Sequence, residues 1–453
     1  MLTLNQLKHL YTNAPRWVKN LYASIPYSIR NGSEFRTWYA FVQTQIDTES
    51  YQILKLKETL YYAYEHVPYY KKLFDDLQIS PFDLHEVSNL KNFPLLTKDI
   101  IKNNFKDLNA INYPNYKKFY VKTGGTTGTP TRFHQSKNVW KKELAFVLDF
   151  FNRFGYQPTD WKASFKGGDY ENLKEDKFWS LDPVKKSISF SPIHLNNNTV
   201  NDYCTILNAY QPMYFHTYPS TLLFFIELMK EEQCSLNYHP KAIFLVSEGY
   251  DTKDIEKIQT CFHSKIASFY GHSERLLFAT SEDHNLQIYH NDKRYGLLEL
   301  INENNEQIEE IEKNGTLVGT SFDNYAMPLI RYATDDMTCY LDDKQNTIQK
   351  ITSLRTKIYL DAKNGQKISI TSLSISSLTD HIHSFQFYQE KPGSLTLLIV
   401  PKKDFCDNEK YKIYHAIYNK IGNIMDISIL TITQPKRTVR GKKINVIKNY
   451  RSI

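Results

Sequence analysis

A chain of 453 residues with 56 Lys and Arg against 49 Asp and Glu is too long for one compact core, and a net charge of +7 is too mild for a nucleic-acid binder. Its apolar fraction of 41% and charged fraction of 23% suit soluble cores, so two or three domains are expected. The five cysteines, Cys204, Cys234, Cys261, Cys339 and Cys406, are isolated and form no C-x-x-C pair, which argues against a zinc knuckle or disulfide framework and fits a reducing cytoplasm.

The N-terminus, M-L-T-L-N-Q-L-K-H-L-Y, lacks the apolar run of a signal peptide. No later stretch approaches the roughly 20 apolar residues that span a bilayer. Residues 1–118 read as mostly helical. Apolar residues recur at three- and four-residue spacing in Y-Q-I-L-K-L-K-E-T-L-Y-Y-A-Y-E, which predicts an amphipathic helix ended by Pro68. A second helix is predicted in L-T-K-D-I-I-K-N-N-F, with Thr97 as its cap. From about residue 119 short β-rich runs alternate with helices. K-F-Y-V-K leads into a glycine-rich loop, and V-W-K-K-E-L-A-F-V-L-D-F-F-N-R-F follows as a helix. K-A-I-F-L-V-S, D-T-K-D-I-E-K-I-Q-T-C-F and K-I-A-S-F-Y-G then read as strand, helix and strand, the alternation of an α/β layered domain. Residues 285–352 carry short strands separated by turn signals, as in antiparallel sheet. After about 354 the chain restarts as a small α+β unit of strand, helix, strand L-T-L-L-I-V, helix and strand I-S-I-L-T-I.

The glycine-rich loop, Thr123–Pro130, reads T-G-G-T-T-G-T-P. Glycines permit tight turns and close approach, and exposed N–H groups with hydroxyls can cradle phosphate oxygens. The loop lacks the Lys-Ser or Lys-Thr of a Walker motif and does not fit G-x-G-x-x-G. A polar hairpin turn is the plain alternative. Three later segments bear on the choice. S-F-Y-G-H-S-E (Ser268–Glu274) offers an aromatic ring at a strand end and then a carboxylate. L-I-R-Y-A-T-D-D-M (Leu329–Met337) pairs Arg331 with Asp335 or Asp336, most simply as a surface salt bridge. P-K-R-T-V-R-G-K-K (Pro435–Lys443) is by composition a solvated basic turn, and functionally a means of delivering a lysine to phosphate.

Together and in this order, the four segments resemble the motifs of the adenylate-forming superfamily of acyl-CoA synthetases. T-G-G-T-T-G-T-P looks like its nucleotide loop, and Y-G-H-S-E like its Tyr-Gly-x-Thr-Glu motif with Ser273 for Thr. R-Y-A-T-D-D looks like Arg-Tyr-x-Thr-Gly-Asp with Asp335 for Gly, and R-G-K-K like the C-terminal Gly-Lys. H-V-P-Y-Y-K-K-L-F, F-P-L-L-T-K-D-I-I-K-N-N-F and Y-P-S-T-L are similar to segments of the phenylacetate–CoA ligase branch and its CapK-type relatives in polysaccharide biosynthesis. The resemblance implies an α/β fold: a large multi-layer N-terminal domain with a helical start (1–353) and a small, mobile α+β C-terminal domain (354–453).

It also implies roles. Thr123, Gly124, Gly125, Thr126, Thr127 and Gly128 would close over the ATP phosphates, with Thr127 among the catalytic residues. Tyr270 would stack on adenine, Gly271 would allow close approach, and Ser273 would line the same pocket. Glu274 would hold Mg²⁺. Ser247, Glu248 and Gly249 match the segment beside adenine, though the family orders it Gly-x-Glu. Asp336 would bond the ribose hydroxyls. Arg355 and Lys357 fall in the hinge region, where the usual glycine and aspartate are missing; Arg355 would reach nucleotide and Lys357 would be the pivot. Lys442, with Lys443 beside it, would bridge the carboxylate and the α-phosphate. Phe165, Gly167, His216, Tyr218, Pro219 and Ser220 are the candidate acyl-pocket residues, with packing of a helix start as the equal alternative. Some of this branch bind zinc, but here only His284 and His290 occupy that region, without cysteine, and no zinc is expected.

The implied chemistry is activation of a carboxylic acid by ATP and transfer to CoA, or to an amine or hydroxyl on a sugar nucleotide or amino acid. A non-catalytic nucleotide-binding or scaffold descendant is the competing class. Asp335 and the altered hinge favour it; the intact loop, Glu274, Asp336 and Lys442 oppose it.

Overall fold

The computed structural model describes the chain outside residues 1–10, 12–13, 82–86, 123–130, 167–177, 193, 283, 285, 354–358, 371–372, 374, 376–377, 379, 434–435, 437–443, 445 and 451–453. Helices Arg16–Ser24, Tyr27–Arg30, Gly32–Val42, Thr48–His66 and Pro68–Leu77 form the N-terminal region. The helix Thr48–His66 begins at Asp47, whose carboxylate accepts from the Glu49 N–H at 3.1 Å. It buries Leu56, Leu60 and Ala63. Pro68 does end it, and also opens the next helix as its first residue, with Val67 extended as the residue before a proline must be. Thr97 caps Lys98–Asn103, its hydroxyl accepting from the Ile100 N–H at 3.3 Å.

A nine-stranded sheet forms the centre. In spatial order its strands are Thr347–Gln349, Ile288–Asn291, Ala279–Ser281, Lys265–Tyr270, Ala242–Leu245, Tyr214–Thr217, Lys162–Phe165, Ser187–Phe190 and Trp179–Asp182. The five from Lys265–Tyr270 to Ser187–Phe190 are parallel, and the outer strands are antiparallel. Side chains alternate between two apolar layers, as a pleated strand requires. Ala163, Phe165, Phe215, Ile243, Leu245 and Ile266 pack in one core with Val200–Tyr210, Pro219–Glu231 and Thr252–Phe262. Tyr214, Ala242, Phe244 and Ala267 pack in the other with the helix Lys137–Asn152 and Phe35 of Gly32–Val42.

A five-stranded antiparallel sheet, Gln307–Ile308, Gly296–Ile301, Gly315–Ser321, Tyr332–Thr338 and Thr352–Ser353, shares its core with the N-terminal helices. Gly296 is obligatory there, because a Cβ would stand 1.9 Å from the Leu276 carbonyl oxygen. Toward the C-terminus, a hairpin (Tyr359–Asp361 with Lys367–Ser369) precedes a four-stranded sheet. That sheet runs Asp426–Thr431, Ile382–Gln389 and Val446–Lys448 around Ser394–Pro401 in the order 426–431, 394–401, 382–389, 446–448. The helix Asp407–Ile421 covers it with Ile413, Ile417 and Ile421. The helix expected earlier in this unit falls on a stretch only partly within the described residues.

One expectation needs correction. Arg331 makes no surface bridge to Asp335 or Asp336. It is 3% exposed and pairs at 3.1 Å with the equally buried Glu299, while its guanidinium also donates to the Lys91 carbonyl at 3.0 Å and to that of Phe93. Burial pushes the Glu299 carboxyl up, against the pull of Arg331. A planar donor fork in the core demands this many acceptors, which a surface position would not supply. The cysteines, isolated in sequence, are not all isolated in space: Cys204 and Cys234 lie with their sulfurs 3.2 Å apart. All five are free thiols.

Candidate active site

The parallel strands end level with one another. Phe165 pairs with Thr217, Thr217 with Leu245, and Leu245 with Ser268. The segments after them therefore emerge side by side at the carboxyl edge, where open α/β sheets take their ligands. Lys166, Tyr218–Ser220, Ser247–Gly249 and Tyr270–Glu274 are all drawn to this edge by the register alone.

Tyr270 ends its strand, and its hydroxyl donates to Asp336 Oδ2 at 2.8 Å. Asp336 comes from the neighbouring sheet, on Tyr332–Thr338, with its own N–H held by Thr334 Oγ1 at 3.1 Å. An ionised carboxylate keeps acceptor capacity beyond that one bond. Glu274 is buried, and Tyr332 donates to its Oε1 at 3.3 Å. At Gly271 a Cβ would meet Glu143 at an ordinary 3.5 Å, so the protein itself does not demand glycine.

Strands Lys118–Lys122 and Arg132–Ser136 pair as a hairpin as far as Lys122 opposite Arg132. The loop between them, with Thr123, Gly124, Gly125, Thr126, Thr127 and Gly128, lies outside the described residues. Its base is tied to the Tyr270–Glu274 segment by Gln135, which donates to the Ser273 carbonyl at 2.7 Å. Gln135 in turn accepts from Trp140 and Arg275, both at 3.0 Å, and Arg275 lies 4.0 Å over the Trp140 ring. Gly167, Arg355, Lys357, Lys442 and Lys443 also lie outside the described residues.

Ser247 takes a left-handed conformation with φ of 63° and is exposed. Glu248 Oε2 accepts from the Ser220 N–H at 3.1 Å, capping the helix Pro219–Glu231. Burial, with the charges of Glu248 and Asp254, raises the Tyr359 hydroxyl, which puts the first C-terminal strand near this turn. Among the described residues, polar contacts join the same unit to the body. Arg132 donates to Asp380 at 2.9 Å, and Gln366 donates to the Pro192 carbonyl at 2.8 Å.

The acyl-pocket candidates divide between the two faces of the sheet. Phe165 is fully buried, stacks 4.8 Å from Phe190 and belongs to the helix layer, and Pro219 is a buried first helical residue. His216 is on the opposite face, 5.5 Å edge-on to Phe151, and its Nε2 stands 3.5 Å from Lys166 Nζ. Burial and then the charges of Lys166 and Lys162 hold His216 well below its usual range, so it is neutral. Burial also lowers Lys166 to about 8, helped by Lys185.

Sequence reading missed Lys166, His272, Gln135 and Lys98. Lys98 forms an ion pair with Asp335, the residue that departs from the family motif. Asp335 lies in the strand Tyr332–Thr338 where its pairing with Gly315–Ser321 shifts register between Ala333 and Met337, and its side chain is taken up by the pair with Lys98. Only the position of Lys166, directly after a strand in the edge segment F-K-G-G, could have flagged it.

Among the described residues no group of three His, Cys, Asp or Glu is placed to hold a metal, and His290 is exposed on a strand. Mg²⁺ asks less, since it is commonly held by one or two carboxylates with substrate phosphates and water, and the buried Glu274 fits that demand. Among the described residues no helix is long and apolar enough to cross a membrane.

Residues 360–449 match the family model of the CapK C-terminal domain. The chain is 21% identical to Protein CapK of Staphylococcus aureus, over 98% of this chain and 100% of the relative. It is 23% identical to phenylacetate–coenzyme A ligase of Escherichia coli K12, over 88% and 94% of the two chains. A solved 2-hydroxyisobutyryl-CoA ligase, bound to 2-HIB-AMP and CoA in its thioesterification state, superposes with a TM-score of 0.57 at 16% identity, covering 88% of this chain and 89% of the other. The fold is that of the adenylate-forming superfamily. Along most of its length the sequence is similar to members of the phenylacetate–CoA ligase and CapK-like branch.

Proposed function

We propose that the protein is an AMP-forming acid–CoA ligase that activates a small carboxylic acid as its acyl-adenylate. The observation that carries this reading is the meeting of Tyr270, Asp336 and Glu274 at the sheet's carboxyl edge, beside the hairpin that bears the glycine-rich loop. Tyr270 stacks on adenine, and Asp336 bonds the ribose hydroxyls. Ser247–Gly249 and Gly271 border the adenine, and Thr123–Gly128 wrap the phosphates. Bound Mg²⁺, held by Glu274 and the triphosphate, supplies charge neutralisation. The acid lies toward His216, Tyr218, Ser220 and Gly167.

In the first half-reaction a carboxylate oxygen attacks the α-phosphorus and pyrophosphate leaves. The nucleophile is ionised at neutral pH, so positioning and charge stabilisation suffice. Lys442, on a C-terminal domain of residues 354–453, bridges carboxylate and α-phosphate. That domain then turns about the region of Arg355 and Lys357, and the CoA thiol displaces AMP. The ion pair of Asp335 with Lys98 supports an active enzyme over a scaffold, because it gives the unusual aspartate a structural role. The full-length likeness to Protein CapK supports a second reading of the acceptor, as an amine or hydroxyl on a sugar nucleotide or amino acid in cytoplasmic steps of surface polysaccharide biosynthesis.

Pyrophosphate release over a panel of carboxylic acids, with calorimetry of ATP and deoxy-ATP, tests the reading. One or more acids should drive release, and deoxy-ATP should bind more weakly. No nucleotide binding with Mg²⁺ present overturns it. Lys442→Ala should lose roughly 10²–10³ in acid-dependent pyrophosphate release yet still consume a supplied acyl-adenylate. Equal loss of both half-reactions would rule out the two-pose scheme.

A further inference from the structure

The helix Val200–Tyr210 and the turn after the helix Pro219–Glu231 bring two thiols together. The Cys204 and Cys234 sulfurs stand 3.2 Å apart. They need to close by only about 1 Å to reach the length of a disulfide bond. Polar bonds hold the two segments on either side of this contact. On one side Asn197 donates to Glu231 at 3.0 Å and to Glu232 at 2.9 Å. On the other, Asn208 donates to the Ser235 carbonyl at 3.0 Å and accepts from the Asn237 N–H at 2.8 Å. The Cys234 N–H is itself bonded to the Met229 carbonyl at 3.0 Å. Separating the two segments would break these bonds. The thiols differ in access: Cys204 is buried and Cys234 half-buried. Burial, with the neighbouring Cys234, pushes the Cys204 thiol up. A thiol so placed reacts slowly with a solute, but contact with its neighbour substitutes for concentration.

We propose that Cys204 and Cys234 form a reversible oxidation site for hydrogen peroxide, whose product is a disulfide stapling the two segments. The Cys234 sulfur attacks the peroxide, the O–O bond breaks, and Cys234 sulfenic acid and water result. The Cys204 sulfur then attacks the Cys234 sulfur. The S–S bond forms as the S–O bond breaks, and the departing hydroxide takes the Cys204 proton as a second water. Two thiols and one peroxide thus give one disulfide and two waters. A dithiol reverses the change, becoming a cyclic disulfide as the two cysteines regain their protons. The cross-link closes a loop that holds the strand Tyr214–Thr217 and the helix Pro219–Glu231. It lies away from the carboxyl edge. Val200–Tyr210 leads to the start of that strand and Pro219–Glu231 returns from its end, so Cys234 comes back to the starting end, remote from Tyr218 and Ser220. The staple therefore braces the helix layer that contains both cysteines, and the inference stands apart from the ligase reading.

The full-length protein, reduced and then freed of reductant, is treated with a slight excess of hydrogen peroxide. Its thiols are then counted by alkylation in denaturant. The count should fall from five to three. Tryptic mapping should find the Cys204 peptide joined to the Cys234 peptide, and dithiothreitol should restore the full count. Oxidation should raise the urea midpoint by roughly 0.5 M, because the cross-link restricts the unfolded chain. Cys234→Ser alters the more accessible partner and should abolish both the cross-link and the rise. Cys204→Ala should do the same, while Cys261→Ser and Cys406→Ser should oxidise as the unaltered protein does. A bond from either thiol to Cys261 or Cys406 overturns the proposal. So does Cys234 sulfinic acid formed without a bond, or survival of all five thiols in a large excess of peroxide. A cross-link that leaves the midpoint unmoved or lowers it also overturns it, because the staple would then not match the native packing.

Discussion

Two clusters of charged and polar groups in the body of the protein are built on opposite terms. Around Asp323 every charge is answered. The carboxylate, 4% exposed, receives Lys142 at 2.7 Å and Lys55 at 2.8 Å, and Lys142 also donates to the Tyr295 carbonyl at 2.8 Å. Burial alone would raise the Asp323 carboxyl, but the two lysines outweigh it and hold it below the usual range. At the carboxyl edge, by contrast, Tyr270 donates to Asp336 and Tyr332 to Glu274, and among the described residues the His272 nitrogens have no partner. The saturated cluster binds helices Thr48–His66 and Lys137–Asn152 to the loop at Asp323. The open one has polar capacity left for a ligand. The difference lies in which groups have used up their partners, not in how many charges are present.

The comparison can be broken at its closed end first. Asp323→Ala leaves two lysines facing each other in the core and should cost about 3–5 kcal/mol of stability, read by urea unfolding. A loss below about 1 kcal/mol would mean that water already reaches the cluster. At the open end, Glu274→Gln should barely move the unfolding midpoint while acid-dependent pyrophosphate release falls roughly 10²-fold at limiting Mg²⁺. Unchanged release would remove Glu274 from the reaction. Tyr270→Phe sharpens the contrast within the site. The ring remains and the bond to Asp336 goes, so ATP should bind weaker by about 1 kcal/mol in calorimetry.

The smallest effect concerns pH. Burial, and then the charge of Lys118, lower His134 to about 4. Its neutral form therefore favours the fold, and that contribution is lost as pH falls through the unfolded value near 6.5. Between pH 7 and 6 the unaltered protein should lose about half a kcal/mol more than His134→Asn, after discounting for solvent screening at a half-buried site. Parallel stability curves for the two proteins would rule this out.

Much of the fold was legible because its signals are local. Pro68, Thr97 and the alternation of strand and helix after residue 119 each depend on a few neighbouring residues. The motif residues Tyr270, Glu274 and Asp336 were readable as a set, though not the bond between Tyr270 and Asp336, which joins two sheets. Arg331 was misread because its true partner, Glu299, lies 32 residues away on another strand. Lys98 and Asp335 are 237 residues apart, and Cys204 and Cys234 meet only through packed helices. Which face of a strand a residue takes was equally hidden. Phe165 and His216 sat together as pocket candidates until the register separated them.

The level ending of the parallel strands has an evolutionary consequence. Each segment at the carboxyl edge starts from the same height on a sheet whose two apolar layers are already complete. On the ligase reading proposed above, a change after Phe165 or Thr217 would reshape what the acid meets without moving a strand, while the segment after Tyr270 would stay under separate constraint from the nucleotide. Relatives that share only about a fifth of their residues can thus drift in taste for acids and keep one engine for activating them.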